Sequence, residues 1–119
     1  MEIPAKIQNQ IMQYQQLQQQ LQMITSQRMQ ISAQLEEVKA TIEELDKVKK
    51  GTAVYRVTGS ILVKVSDLAG LKKELDEQKE TASVKVTSLE RQEKQLKERF
   101  INLQQEITKA MQGEKPSAE

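Results

Sequence analysis

Apolar residues recur at alternating steps of four and three through almost the whole chain, and that period leaves few folds open. From the start it runs Ile3, Ile7, Gln10, Tyr14, Leu17, Leu21, Ile24, Arg28, Ile31, Leu35, Val38, Ile42 and Leu45; only Gln10 and Arg28 are polar. A second stretch runs Leu68, Leu71, Leu75, Gln78, Ala82, Val86, Leu89, Glu93, Leu96, Phe100, Leu103, Ile107 and Ala110. A sustained apolar seam of this spacing is the mark of a coiled coil. The Gln, Glu and Lys between seam positions are good helix formers. A first helix is expected over 5–49, with Pro4 in the first turn and Gly51 as its C-terminal cap. Its length of about 65 Å is more than a small globular domain accommodates. A second helix is expected over 67–112, started by Ser66 or Asp67 and stopped by Gly113 and Pro116, with a disordered tail over 113–119. Its two successive steps of four, from Gln78 to Ala82 to Val86, read as a stutter that relaxes the supercoil.

Residues 52–66 change period. Thr52–Val57 and Ile61–Val65 alternate and are rich in β-branched residues, with Thr58-Gly59-Ser60 between them. They read as a β-hairpin with a three-residue loop. That loop places Ala53, Tyr55, Val57, Ile61, Val63 and Val65 on one face, and Val54, Arg56, Leu62 and Lys64 on the other. The fold class is thus mainly α: a long antiparallel two-helix coiled coil with a central β-hairpin. Folding back about the turn brings Leu45 towards Leu71 and Ile7 towards Ala110. Arg28 then meets Glu90 or Glu93, the alternative being a surface Arg whose stem lies along the seam.

Composition excludes most chemistries. With no Cys and no His there is no disulfide, zinc site, thiol nucleophile or imidazole base. The four glycines have no phosphate-loop spacing. An enzyme is not expected, nor a cofactor. Eighteen basic against seventeen acidic residues give a net charge of +1, which disfavours nucleic acid or an anionic membrane as partner. No apolar run reaches the length of a membrane span and no signal-peptide pattern is present, so the expected compartment is the cytoplasm.

Two apolar surfaces are left over once the helices have used their stripes on each other. A lone two-stranded hairpin is marginal in water, so this one is expected to pair with hairpins of other chains into a sheet or closed barrel. The alternative is a loop ornament on a monomeric coil. At the free ends, Ile3, Ile7, Ile11, Met12, Phe100, Ile101, Leu103, Ile107 and Met111 exceed what a two-helix seam uses. They are a candidate binding surface, against the plainer reading of ordinary seam with a few tolerated surface residues.

The pattern of helix, hairpin and helix resembles the beta class of prefoldin subunits. The residues that carry the likeness are Tyr14-Gln15-Gln16-Leu17-Gln18, the hairpin Val54-Tyr55-Arg56-Val57-Thr58-Gly59-Ser60-Ile61-Leu62-Val63-Lys64, and Leu89-Glu90-Arg91-Gln92-Glu93. The hairpin between two coils is the specific part, and a single hairpin resembles the beta rather than the alpha class, of archaeal type. The resemblance covers nearly the whole chain and implies a single prefoldin-like domain over 1–119. It implies an ATP-independent chaperone subunit in a hexamer of two alpha and four beta subunits, whose hairpins form a β-barrel platform. Val54, Tyr55, Val57, Ile61, Leu62, Val63 and Val65 would then make assembly contacts. Ile3, Ile7, Ile11, Met12, Phe100, Leu103, Ile107 and Met111 would hold non-native client proteins for transfer to a group II chaperonin. The competing expectation is a passive scaffold or tether that binds one folded partner.

Overall fold

The computed structural model of the chain describes residues 3–112. The elements in chain order are α1 (Ala5–Lys47), β1 (Tyr55–Thr58), β2 (Ile61–Lys64) and α2 (Leu68–Gln112). They divide into two compact units. An end unit joins the described residues up to Met29 with those from Thr87 onward, and a hairpin unit comprises Gln30–Val86. The expected disordered tail over 113–119, with the stop at Gly113 and Pro116, lies outside the described residues.

Helix boundaries follow local hydrogen-bonding needs. The carbonyl of Pro4 accepts the first helical bond of α1, from the Gln8 N–H at 3.0 Å. Asp67, rather than Ser66, caps α2: its Oδ1 accepts from the Gly70 N–H at 2.9 Å, which satisfies one of the unpaired donors of the first turn. The end of α1 differs from expectation. The helix stops at Lys47, not at residue 49, and the Val48 N–H bonds the Leu45 carbonyl at 3.2 Å in a tightened last turn. Gly51 is therefore not the helix cap. It sits at φ 89° in a separate turn closed by the Thr52 N–H on the Lys49 carbonyl at 3.1 Å, where its positive φ lets the chain leave towards β1.

In the end unit the two helical segments run antiparallel, as their cross-helix partners show: Gln10 with Glu106, Tyr14 with Phe100, and Arg28 with Glu93. The period-derived positions from Ile7 to Arg28 and from Leu89 to Ala110 are all at least half-buried, and Leu17 is buried. In the hairpin unit Leu35 and Leu45 are buried, and Lys72 reaches Asp46 at 3.7 Å. The seam lapses at the stutter. Gln78 is exposed, and a shallow groove bordered by Ile31, Val38, Thr81 and Ala82 opens there. Ala82 is too short to reach across, and Gln78 keeps its amide in water.

The hairpin corrects the expected turn and faces. β1 and β2 pair antiparallel with Tyr55 opposite Lys64, Arg56 opposite Val63, Val57 opposite Leu62 and Thr58 opposite Ile61. The loop is therefore two residues, Gly59-Ser60, with Gly59 at φ 62° and no other positive φ nearby. Glycine at the first central position is what a type II′ turn requires. Shortening the loop by one residue shifts the register by one and turns one strand over. Tyr55 and Val57 share a face with Leu62 and Lys64, while Arg56 and Thr58 share the opposite face with Ile61 and Val63. A further bond, Val65 N–H to the Val54 carbonyl at 2.8 Å, extends the ladder by one pair.

Candidate functional site

Two sets of side chains stand out, one in each unit. In the hairpin unit, every residue of both strands is exposed. The two faces nevertheless differ. Val57 and Leu62, directly opposite each other, are 72% and 70% exposed, and Tyr55 beside them is also exposed. On the other face Ile61 at the turn is 60% exposed, but away from the turn Val63 is 40% exposed, Val54 and Val65 are half-buried, and Arg56 donates to the Glu74 carboxylate of α2 at 3.3 Å. That face is thus tied back to the first turns of α2 and the Tyr55/Val57/Leu62 face is free. It combines an apolar patch with a two-stranded ladder whose outer edges lack strand partners among the described residues. Such an arrangement is suited to adding further strands.

In the end unit the residues picked out at the chain ends fall into two groups. Ile3, Met12 and Met111 are exposed, as is Ile101. Ile7, Ile11, Phe100, Leu103 and Ile107 are half-buried. Phe100 stacks on Tyr14 with ring centroids 4.5 Å apart and planes inclined by 21°, so much of its ring contact is made within the unit. Two shallow grooves bring members of the set together. Ile11 and Ile107 border one, with Tyr14 and Gln104. Ile7 borders the other, with Ala110, Gln10 and Glu106.

Deeper along the same unit lies a polar cluster. Arg28 chooses Glu93, with Nε to Oε1 at 2.5 Å and Nη2 to Oε2 at 3.4 Å. Thr25 adds its hydroxyl to Oε2 at 2.7 Å. The Thr25 and Arg28 hydrogen bonds hold the Glu93 carboxyl below the usual carboxylate range, against an opposing push from desolvation. A polar pair set among apolar seam positions fixes the register in which two helices meet. Period analysis located Arg28 and Glu93 on facing seams; Thr25 it missed, because Thr25 lies beside the stripe rather than on it.

The sequence reading also passed over Met23 and Met29, which are 62% and 59% exposed on α1. The available signal was their position off the seam, Met23 inside the uncharged stretch between Lys6 and Arg28 and Met29 just past it. Among the described residues no group of acidic side chains is arranged to hold a metal ion. No helix among them is long and apolar enough to cross a membrane.

Comparison with known proteins gives a consistent picture. The family model described as prefoldin subunit matches residues 8–114. A prefoldin subunit beta of Methanococcus maripaludis is 55% identical over 111 residues, covering 93% of this chain and 96% of the relative. That of Methanococcus aeolicus is 54% identical over 113 residues, covering 95% and 96%. The relative from Archaeoglobus fulgidus is 45% identical over 106 residues, covering 89% and 90%. Among solved structures, the crystal structure of the prefoldin beta subunit from Thermococcus strain KS-1 superposes with a TM-score of 0.80 at 33% identity, covering 92% of this chain and 95% of that one.

Proposed function

The chain belongs to the prefoldin subunit family as a beta-class member, and on that footing we propose that it works as a holding chaperone without nucleotide. It would bind non-native proteins at the apolar ends of α1 and α2, prevent their aggregation and release them to a group II chaperonin in the cytoplasm. The hairpin residues Val54, Tyr55, Val57, Ile61, Leu62, Val63 and Val65 would join those of alpha-class and further beta-class subunits in a β-barrel platform, as a hexamer of two alpha and four beta chains.

The observation that carries this reading is the pair of solvent-facing apolar surfaces, each left uncovered by the described residues of its own unit. The end set, Ile3, Ile7, Ile11, Met12, Phe100, Leu103, Ile107 and Met111, offers only a small area, so a single contact is weak. Several such ends on one platform engage the same unfolded chain, and effective concentration supplies retention. Binding the unfolded state keeps it out of aggregates. Release then needs only a competing receiver.

Removal of about ten residues from the start and fifteen from the finish, the scale of two to four helical turns, is the direct test. The shortened chain is expected to assemble with an alpha-class partner at normal mass and to lose suppression of light scattering by a denatured protein. If it still protects, the ends are not the client site.

A further inference from the structure

We propose that the uncharged outer surface of α1 between Lys6 and Arg28 is a second client surface, which takes extended segments of non-native chains on exposed methionines and glutamine amides. The inference rests on the holding function above and lengthens its contact area from the chain ends along α1.

No residue between Lys6 and Arg28 carries a charge, and ten of these twenty-one are glutamine. Nine of those ten are exposed; only Gln10 is half-buried. The α2 segment of the same unit is the opposite: Glu90, Arg91, Glu93, Lys94, Lys97, Glu98, Arg99, Glu106 and Lys109 crowd it with charge. A helix that merely meets water gains solubility and small increments of stability from ion pairs one turn apart. This part of α1 forgoes both, and instead presents methionine to solvent. Met12 and Met23 are eleven residues apart, three helical turns, and so lie on one line. Met29 lies just past Arg28, outside the uncharged stretch, but borders a shallow groove along α1 with Leu21, Gln22, Thr25 and Ser26 of that stretch, and so edges the same surface.

The occupant follows from this chemistry. An extended, unfolded segment displays peptide N–H and C=O groups without partners, together with scattered apolar side chains. A folded protein has paired nearly all of its peptide groups. Glutamine amides supply both donors and acceptors to such a backbone, and covering them with a client costs far less than covering Lys or Glu. Methionine adapts to side chains of irregular shape. A neutral surface reads no charge pattern, so it accepts many sequences and its grip is insensitive to salt.

Methionine oxidation reads this surface directly. Peroxide transfers one oxygen atom to the thioether, giving sulfoxide and water. The assembled complex is exposed to dilute hydrogen peroxide with and without a chemically denatured protein, and oxidation at each methionine is followed by mass spectrometry. The client is expected to slow oxidation of Met23 and Met29 at least about threefold, as it slows Met111 at the end. The double variant Met23→Lys/Met29→Lys is expected to keep its helicity and assembled mass and to hold the client about tenfold more weakly. Wild-type holding is expected to change less than about twofold between 50 and 500 mM salt. Equal oxidation of Met23 and Met29 with and without client, while Met111 is protected, overturns the inference and leaves the holding function standing. Failure to hold any denatured protein, with no methionine protected, removes the holding function itself.

Discussion

The hairpin unit and the end unit leave apolar side chains in water in different ways. In the hairpin unit all the exposed large apolar side chains but Val84 of α2 sit on a hydrogen-bonded ladder: Val57 and Leu62 face each other across β1 and β2 at fixed spacing, with Tyr55 alongside. Such a patch has one geometry and strand edges that match another strand, so it suits one kind of partner permanently. In the end unit the exposed apolar groups are chiefly Met12, Met23, Met29 and Met111, unbranched and flexible, with Ile3 and Ile101. Among the described residues, only Leu17 there is a buried hydrophobic, against Leu35 and Leu45 in the hairpin unit. A thin core with a soft, neutral periphery suits many partners briefly. Rigidity is what distinguishes the two apolar surfaces, and under the proposed function it separates assembly from client contact.

Four measurements break or sharpen that contrast. The largest effect is expected for Leu62→Asp, which places a charge at the centre of the free hairpin face. It should abolish entry into the mixed complex, a loss of about 4 kcal/mol or more of association energy, seen as a fall in sedimentation mass with helicity retained. Val63→Asp, on the face tied back by Arg56 and Glu74, should weaken assembly less. If the two are reversed, the faces have been assigned the wrong way round. Next, Leu35→Ala in the hairpin unit should lower unfolding stability by about 2–4 kcal/mol in urea titration, because the neighbours of a buried leucine cannot fill the space.

The third measurement concerns the polar cluster. Glu93→Ala leaves Arg28 half-buried without its carboxylate and should cost about 1–3 kcal/mol. The wild-type contribution is also pH-dependent. Because the Glu93 carboxyl is held below its ordinary range when folded, its stabilisation is fully present above the unfolded carboxylate pKa. It is lost as the pH falls through the folded value. Acid titration of the urea midpoint should show this loss in the wild type and a smaller one in Glu93→Gln. An identical acid slope would mean that Glu93 is not the group responsible. The smallest effect is expected at Gly59, where φ is 62° and a Cβ would meet no atom within 4 Å. Gly59→Ala should therefore cost only the backbone strain of a Cβ at positive φ, about 1–2 kcal/mol, with assembly preserved at room temperature.

Much of this molecule was legible before any coordinates. The seam residues Leu17, Leu35 and Leu45, and the seam places of Tyr14 and Phe100, follow from a period that repeats often enough to absorb single exceptions such as Gln10; that those two rings stack on each other does not. The turn residues were less legible. Thr58-Gly59-Ser60 accommodates a loop of either two or three residues, and the choice decides which of Leu62 and Val63 shares a face with Val57. Gly51 likewise reads as a helix cap by composition, yet the last turn of α1 closes earlier. At the candidate surfaces the ends of the chain stand out by their surplus of Ile and Phe, whereas Met23 and Met29 lie off the seam, where the period says nothing about them.

Local chemistry sufficed to set the two helices, the stripe by which they pair and the ribbon between them, because each depends on a repeat read over many residues. Which hairpin face is free, and that Glu93 rather than Glu90 receives Arg28, depended on tertiary register. Register is a matter of one residue, or one helical turn, and no averaged pattern resolves it.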